Sequence, residues 1–214
     1  MSILFVSSKG GNCTTVTASA YSLLSALRGH NTLLIDMCGD VPATLAAPEP
    51  SRPGINDWLA EHNSADASSL VLLGETVIDG LVVVHRGNKF VEGQPRWEAF
   101  AEAIGTLPHN VVIDIGNGFV PNEIAHAVDV TSLVTKACYL SLRRATTMPR
   151  PHNAIVVRED GRALTPTDVA HVLGVPVVAE IPHSVAIARA VDAGLLTARV
   201  EQLFGQHFSS LLPT

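Results

Sequence analysis

A glycine-rich loop near the start of the chain is the segment with the clearest chemical potential. Residues 6–14 read Val-Ser-Ser-Lys-Gly-Gly-Asn-Cys-Thr, and Thr15 follows directly. A short apolar run at 3–6 precedes the loop, and a helical pattern at 15–27 follows it. A strand, a glycine loop and a helix in this order place backbone N–H groups around an anion. The segment therefore predicts a phosphate-binding loop, although Thr14 stands where such loops place a lysine against the outer phosphates.

Two aspartates follow other apolar runs. Asp36 comes directly after the run at 33–35, and Asp114 comes after the run at 111–113. In an open parallel sheet, ligands bind outside the carboxyl ends of the strands. We therefore expect both side chains to lie near the glycine loop. A second interpretation is that both aspartates cap helices after strands, which is a common use of this residue.

Seven short aliphatic and β-branched runs predict strands. They lie at 3–6, 32–35, 81–85, 111–115, 130–134, 154–157 and 176–181. Several are continuously apolar, as is typical of strands buried on both faces of a parallel sheet. Helical patterns at 15–27, 97–107, 166–173 and 185–193 lie between them and end near glycines. We therefore predict an α/β fold with a doubly wound, mostly parallel sheet of about seven strands and helices on both faces. Residues 48–54 and 86–94 predict the two clearest loops.

The composition predicts one domain over residues 1–214, in the cytoplasm. Of 214 residues, 47% are hydrophobic and 16% are charged, which is enough for a sizeable core. No apolar run approaches the ~20 residues of a membrane span, and residues 1–6 lack the features of a signal peptide. Three cysteines fit a reducing compartment better than a disulfide framework. The net charge of −6 provides no overall attraction for nucleic acid or anionic lipid.

Taken together, these motifs resemble the ParA/MinD family of P-loop ATPases. That family carries two lysines around the glycines of its first loop, an aspartate pair after the second strand, and a later aspartate followed by glycine. The likeness extends to Ile181-Pro182 and the helix behind them, so it covers nearly the whole chain. It implies a P-loop NTPase-like domain over 1–214 that binds ATP or ADP with Mg²⁺ and forms a homodimer.

The resemblance assigns roles to the retained residues. Lys9 matches the signature lysine that reaches across a dimer to the partner's nucleotide, and Gly10–Gly11 match the glycines whose backbone faces phosphate. Thr15 matches the hydroxyl ligand of Mg²⁺, and Asp114 matches the aspartate that holds this metal indirectly. Asp36 matches the first carboxylate of the aspartate pair, so the catalytic candidates are Lys9 and Asp36. The residues that the resemblance places against the nucleotide are Lys9, Gly10, Gly11, Asn12, Cys13, Thr14, Thr15 and Pro182.

Three departures from the family pattern indicate weakened chemistry. Thr14 replaces the in-loop lysine, Cys13 replaces the small residue before it, and Cys38 replaces the second aspartate. Truncating one partner of a buried charge pair costs about 2–5 kcal/mol, and about 1.4 kcal/mol is tenfold in affinity. We therefore expect nucleotide binding to weaken by roughly two orders of magnitude and hydrolysis by more. Where the family reads adenine with an asparagine, this chain has Val157 or Arg158.

The cysteines and arginines allow further interpretations. Cys13 and Cys38 are expected to approach each other as small space-filling residues, with a redox pair or a metal site as the alternatives. The five arginines at 143, 144, 150, 158 and 162 form either a solvated face, which we favour, or a weak DNA-binding footprint. The tail at 200–212 lacks the basic face of a membrane-binding helix, so we expect it to pack against the domain or a second subunit.

The sequence leaves three functional hypotheses. The main one is a degenerate ParA/MinD-like protein that acts as a dimeric scaffold, binds an unidentified protein partner and positions a cellular structure. That structure is a pilus or secretion apparatus, as in the TadZ/CpaE-like branch, or a chromosome or plasmid segregation system. The second hypothesis is a slow ATPase whose ATP-dependent dimerisation drives such positioning. The third is a constitutive dimer in which side chains fill the phosphate loop.

Overall fold

The computed structural model describes residues 1–48, 51–61, 66–87, 94–209 and 211–212. Parts of both predicted loops, residues 49–50 and 88–93, lie outside the described residues. The strands within the described part are β1 (Ser2–Val6), β2 (Thr32–Asp36), β3 (Glu75–Ile78), β4 (Leu81–Val84), β5 (Asn110–Asp114), β6 (Val130–Lys136), β7 (Asn153–Arg158) and β8 (Val177–Pro182). The helices are α1 (Thr14–Leu27), α2 (Val41–Thr44), α3 (Ile55–Ala60), α4 (Ala67–Leu72), α5 (Trp97–Thr106), α6 (Asn122–Ala127), α7 (Tyr139–Ala145), α8 (Pro166–Leu173), α9 (Val185–Asp192) and α10 (Leu196–Phe204).

These strands form one sheet in the order β3-β4-β2-β5-β1-β6-β7-β8. β3 runs antiparallel to β4, and the other pairs are parallel. The α/β fold and the mostly parallel sheet are therefore confirmed, but the sheet has eight strands where the sequence predicted about seven. The additional strand is β3, whose residues are only partly buried, so it lacks the continuous apolar run of a central strand. Asp79 and Gly80 connect it to β4, and an Asp-Gly pair between two such runs is a hairpin signal that the strand count did not use.

Helices cover both faces of the sheet, because the central strands bury alternate residues on opposite sides. On β1, Ile3 and Phe5 belong to one buried cluster with residues of α1 and α10. Leu4 and Val6 belong to a second cluster with residues of α3, α4, α5 and α6. The predicted doubly wound arrangement is thus confirmed by the packing of a single strand. No helix in the described ranges is long and apolar enough to cross a membrane.

The C-terminal tail packs on the body of the domain, one of the two outcomes that the sequence left open. Phe204 and Phe208 are completely buried. The ring of Phe208 lies edge-on to Tyr21 of α1 with centroids 5.9 Å apart, and the Tyr21 hydroxyl donates to the Leu211 carbonyl at 3.3 Å. Full burial of such a side chain stabilises a fold by about 1.5–3 kcal/mol. The tail is therefore part of the core on the α1 face.

The strand order brings the chemical segments to one edge of the sheet. β1 lies between β5 and β6, and the glycine loop leaves its carboxyl end. Asp36 and Asp114 are register partners across β2 and β5. The topology alone therefore gathers the glycine loop and both aspartates at the carboxyl edge, as the sequence predicted.

Candidate functional site

The loop between β1 and α1 curves around the N-terminus of α1. Gly11 has a φ of 80° and Cys13 a φ of 63°, so both adopt the left-handed conformation. Glycine adopts it freely, whereas a residue with a side chain is strained there by roughly 1–2 kcal/mol. Cys13 precedes α1 without a side-chain cap, and the first turn of α1 carries no acidic residue. The first N–H groups of α1 therefore remain available to an anion.

A cavity of about 310 Å³ lies against this loop. Residues 10–15 line it together with Cys38 and residues 116–117. A Cβ built on Gly11 would meet nothing within 4 Å, so the centre of the loop is open. Six of the predicted nucleotide-binding residues thus face one cavity, and its backbone donors and space fit the phosphates of a nucleotide.

The loop provides this cavity with little positive charge from its own side chains. Thr14 is the first residue of α1 and is 6% exposed. The Lys9 ammonium donates to the carbonyl oxygen of its neighbour Gly10 at 3.1 Å. In this conformation the anion-binding capacity of the loop rests on backbone N–H groups.

Asp36 organises the loop that follows β2. One of its carboxylate oxygens accepts from the backbone N–H groups of Cys38 at 3.0 Å and Gly39 at 2.7 Å, and the other accepts from Val41 at 3.1 Å. The side chain is completely buried. Burial raises the pKa of this carboxyl group, and the hydrogen bonds from Gly39, Cys38 and Val41 oppose that rise. Asp36 therefore holds together the turn that leads to α2, whose N-cap is Asp40, and its catalytic role stays a prediction.

The Cys38 thiol lies between Thr15 and Asp114, the two residues predicted to hold Mg²⁺. Its sulfur lies 3.1 Å from a carboxylate oxygen of Asp114, 3.3 Å from one of Asp36 and 3.4 Å from the Thr15 hydroxyl, and its single S–H hydrogen can be donated to either carboxylate. Burial and the charges of Asp114 and Asp36 raise the pKa of this thiol far above its usual value. Mg²⁺ prefers oxygen ligands. The oxygen atoms of Thr15 and Asp114 that could bind Mg²⁺ both contact a neutral thiol, which is a poor ligand for this ion. The site consequently fits Mg²⁺ less well than it fits phosphate.

The sequence left two alternatives for Cys13 and Cys38, a redox pair and a metal site. Cys13, Cys38 and Cys138 are all free thiols, so the structure holds no disulfide between Cys13 and Cys38. The metal alternative concerned Cys13 and Cys38, but in the described part of the chain the candidate ligand atoms that lie within 4.8 Å of one another belong to Asp36, Cys38 and Asp114, a group without Cys13. Since Asp36 is already held by three backbone N–H groups, it is poorly placed to bind a metal.

Pro182 lines a second cavity of about 200 Å³ on the other side of Cys13. Val16, Val157 and Ile181 contribute to its mostly apolar wall. Cys13 and Val16 line both cavities, so the two spaces adjoin along the start of α1. The structure thus brings Pro182 to a mostly apolar cavity that adjoins the loop.

The ion pair at the end of β6 was not among the features predicted from the sequence. Lys136 and Glu159 lie 2.5 Å apart with side chains only 14% and 16% exposed, and Arg162 also bonds Glu159. Lys136 ends a strand at the same edge as Asp36 and Asp114, which is the signal that would have found it. Of the five arginines in the stretch at 143–162, Arg158 also forms an ion pair, with Glu180 at 3.4 Å.

The three cysteines should differ strongly in reactivity towards an alkylating reagent. Burial raises the pKa of both Cys13 and Cys38. Burial also opposes ionisation of Cys138, but its hydrogen bonds with Ser141 and the charges of Lys9 and Arg162 lower its pKa overall. Because the thiolate is the reactive form, we expect iodoacetamide at pH 7.5 to label Cys138 at least tenfold faster than Cys38. Peptide mass spectrometry over a time course measures this, and labelling of Cys38 at an equal rate would contradict its buried three-way contact.

The parallel sheet, the glycine loop and the uncapped start of α1 together define a fold of the P-loop NTPase class. Solved structures that superimpose on this chain include ATPases of the ParA/MinD family. A ParA family ATPase from Chlorobium tepidum TLS superimposes with a TM-score of 0.75 at 20% identity, covering 93% of this chain and 92% of that one. The septum site-determining protein MinD from Pyrococcus horikoshii OT3, complexed with Mg-ADP, gives 0.72 at 15% identity, with 94% and 88% covered. In the MinC:MinD cell division protein complex from Aquifex aeolicus, the matching chain gives 0.71 at 14% identity, with 100% and 97% covered.

No protein-family model matches the sequence, and no curated protein matches it either. The likeness to solved structures therefore establishes the fold that the sequence motifs predicted. It does so over nearly the full length of both chains.

Proposed function

We propose that this chain is a degenerate member of the ParA/MinD family, a single cytoplasmic domain that works as a homodimeric scaffold. The observation that carries the proposal is the contact set of Cys38. Its neutral thiol bonds to Asp36 and Asp114 and lies beside Thr15, at the place where nucleotide hydrolysis needs a metal ion and a positioned water. Together with the uncharged Thr14, this arrangement supports loss of catalysis with retention of the fold.

Nucleotide binding in this proposal is weak and rests on the loop backbone. ATP or ADP would place its phosphates on residues 10–15 and its base in the apolar cavity beside Pro182. Mg²⁺ would be held by Thr15 and, indirectly, by Asp114. Bound Mg²⁺ would neutralise phosphate charge, while this chain's residues orient the phosphates. MinD from P. horikoshii is complexed with Mg-ADP, which supports the choice of ligand.

The cellular role in this proposal is positioning through a protein partner. The MinC:MinD complex pairs one such domain with a second protein, which supports a partner-binding function for the fold. We propose a pilus or secretion apparatus, as for the TadZ/CpaE-like branch, or a chromosome or plasmid segregation system. DNA binding is less favoured, because Arg158 and Arg162 of the arginine stretch are engaged by Glu180 and Glu159. Membrane binding is less favoured, because Phe204 and Phe208 of the tail are buried.

Calorimetric titration with ATP and Mg²⁺, together with a phosphate-release assay, tests the scaffold proposal. We expect dissociation constants in the high micromolar range or weaker, release no faster than for a Thr15→Ala control, and a dimer by sedimentation without nucleotide. Low-micromolar binding together with steady release above that control would overturn the proposal.

The alternative is a slow ATPase switch, which the open cavity and the retained Lys9, Thr15 and Asp114 favour. In that case dimerisation requires ATP, and replacing Lys9 by alanine abolishes it. A dimer of Lys9→Ala that is indifferent to ATP would reject the switch and would agree with the scaffold.

A further inference from the structure

Lys136 stands beside the glycine loop because β6 is the strand next to β1. The two strands are parallel, with Val6 opposite Leu133, so β6 continues past the point where the loop leaves β1. Asn12 of the loop is buried, and its amide donates to the Val134 carbonyl at 3.5 Å. The loop therefore folds over the end of β6, two residues before Lys136.

The Lys136 ammonium is held by a carboxylate that has a second cation. Glu159 accepts from Lys136 at 2.5 Å and also from Arg162. Hydrogen bonding to Lys136 lowers the pKa of Glu159 to about 2, with a further contribution from Arg162 and against the opposing effect of burial. If Lys136 turned to another anion, Glu159 would remain paired with Arg162. The Glu159 carboxylate would therefore keep a positive partner after Lys136 had left it.

Charged side chains act on two cysteines near the loop, Cys13 within it and Cys138 after β6. Burial raises the pKa of Cys13, the Lys136 ammonium lowers it and the Glu159 carboxylate raises it, so both members of the ion pair act on the loop itself. Lys9 and Arg162 act on Cys138 in the same way. The Lys9 ammonium bonds to Gly10, whereas Lys136 ends β6 two residues after the strand position that Asn12 of the loop contacts, so Lys136 is a second cation within the neighbourhood of the loop.

We propose that Lys136 binds phosphate in this loop in place of the missing in-loop lysine, and that Glu159 holds Lys136 until a phosphate replaces it. The ligand class is a nucleoside diphosphate or triphosphate. This inference rests on the proposed function in one respect, since it requires that the loop bind nucleotide phosphate. Glu159 is then an internal competitor of the ligand for the same ammonium group.

Isothermal titration at low ionic strength, with ATP, ADP and inorganic phosphate as separate probes, tests this role. Replacing Lys136 by methionine should weaken binding of all three probes roughly tenfold or more. Lys136→Arg should retain most of the affinity, and Glu159→Gln should tighten binding severalfold because the competitor loses its charge. Arg28→Gln is the matched control: it removes one positive charge at the far end of α1, about 20 Å along the helix, and should leave binding unchanged.

Equal affinities of wild type, Lys136→Met and Glu159→Gln would overturn the role of Lys136. An effect seen with ATP but not with inorganic phosphate would also overturn it, because Lys136 would then contact the base or ribose. Thermal unfolding of each variant identifies a folding defect, and Glu159→Gln keeps the inference testable if Lys136→Met does not fold. The phosphate-release assay separates the two proposals. Rapid release by wild type would overturn the scaffold proposal but not the phosphate-binding role of Lys136. Unchanged binding by the Lys136 variants would overturn that role but not the scaffold proposal.

Discussion

Replacing Thr14 by lysine is expected to tighten ATP binding by about two orders of magnitude. Thr14 lines the cavity and is nearly buried as the first residue of α1, so a longer side chain must extend into the phosphate space. There its ammonium would meet the phosphates in a site that excludes most water, where a paired charge contributes about 2–5 kcal/mol. Calorimetric titration with ATP and Mg²⁺ measures the change.

Thr14→Met is the matched control, because it adds length without charge and should not tighten binding. Lys136→Met should cost less affinity in the Thr14→Lys protein than in wild type, since two cations that serve one phosphate are not additive. An affinity of Thr14→Lys equal to that of Thr14→Met would show that the loop does not present its first helical residue to phosphate.

Replacing Asp36 by alanine is expected to lower the free energy of unfolding by about 3 kcal/mol or more. The change removes the acceptor of three backbone N–H groups, of which that of Val41 is buried and the other two are partly buried, and a buried donor left unsatisfied costs about 1–3 kcal/mol. Urea unfolding followed by circular dichroism measures the loss. Such a loss identifies Asp36 as a structural cap rather than as a purely catalytic group.

Asp36→Asn provides the control for this measurement. Its amide keeps one carbonyl oxygen for the N–H groups of Cys38 and Gly39 and removes a buried charge, so the loss should be markedly smaller than for alanine. If alanine and asparagine cost the same, or if alanine costs under about 1 kcal/mol, the turn after β2 does not depend on this carboxylate.

The central part of the fold was predictable because its strands are buried on both faces. Runs such as Leu33–Ile35 and Val111–Ile113 are continuously apolar and cannot be surface segments, which made both strands and the aspartates after them evident. β3 was missed for the opposite reason, since an edge strand with partly exposed residues has no apolar run to recognise. Only its Asp79-Gly80 connection marked it.

The candidate site was predictable where its chemistry is local in sequence. The glycine loop occupies consecutive residues, so its curvature around α1 followed from residue types. The contact of Cys38 with Asp114 joins residues 76 positions apart, and the placement of Lys136 beside the loop depends on which strand neighbours β1. Both depend on the order of the strands in the sheet. The sequence predicted the fold class but not this order.

Cys38 also contacts three segments of the site at once. Its sulfur joins the start of α1 at Thr15, the end of β5 at Asp114 and the turn after β2, through contacts that are individually weak because a thiol is a poor hydrogen-bonding group. A ligand that engages the Thr15 hydroxyl would share that hydroxyl with this sulfur. The turn after β2 also carries Asp40, which precedes α2 and itself lines the cavity, so a ligand in the cavity would meet this turn directly as well as through Cys38.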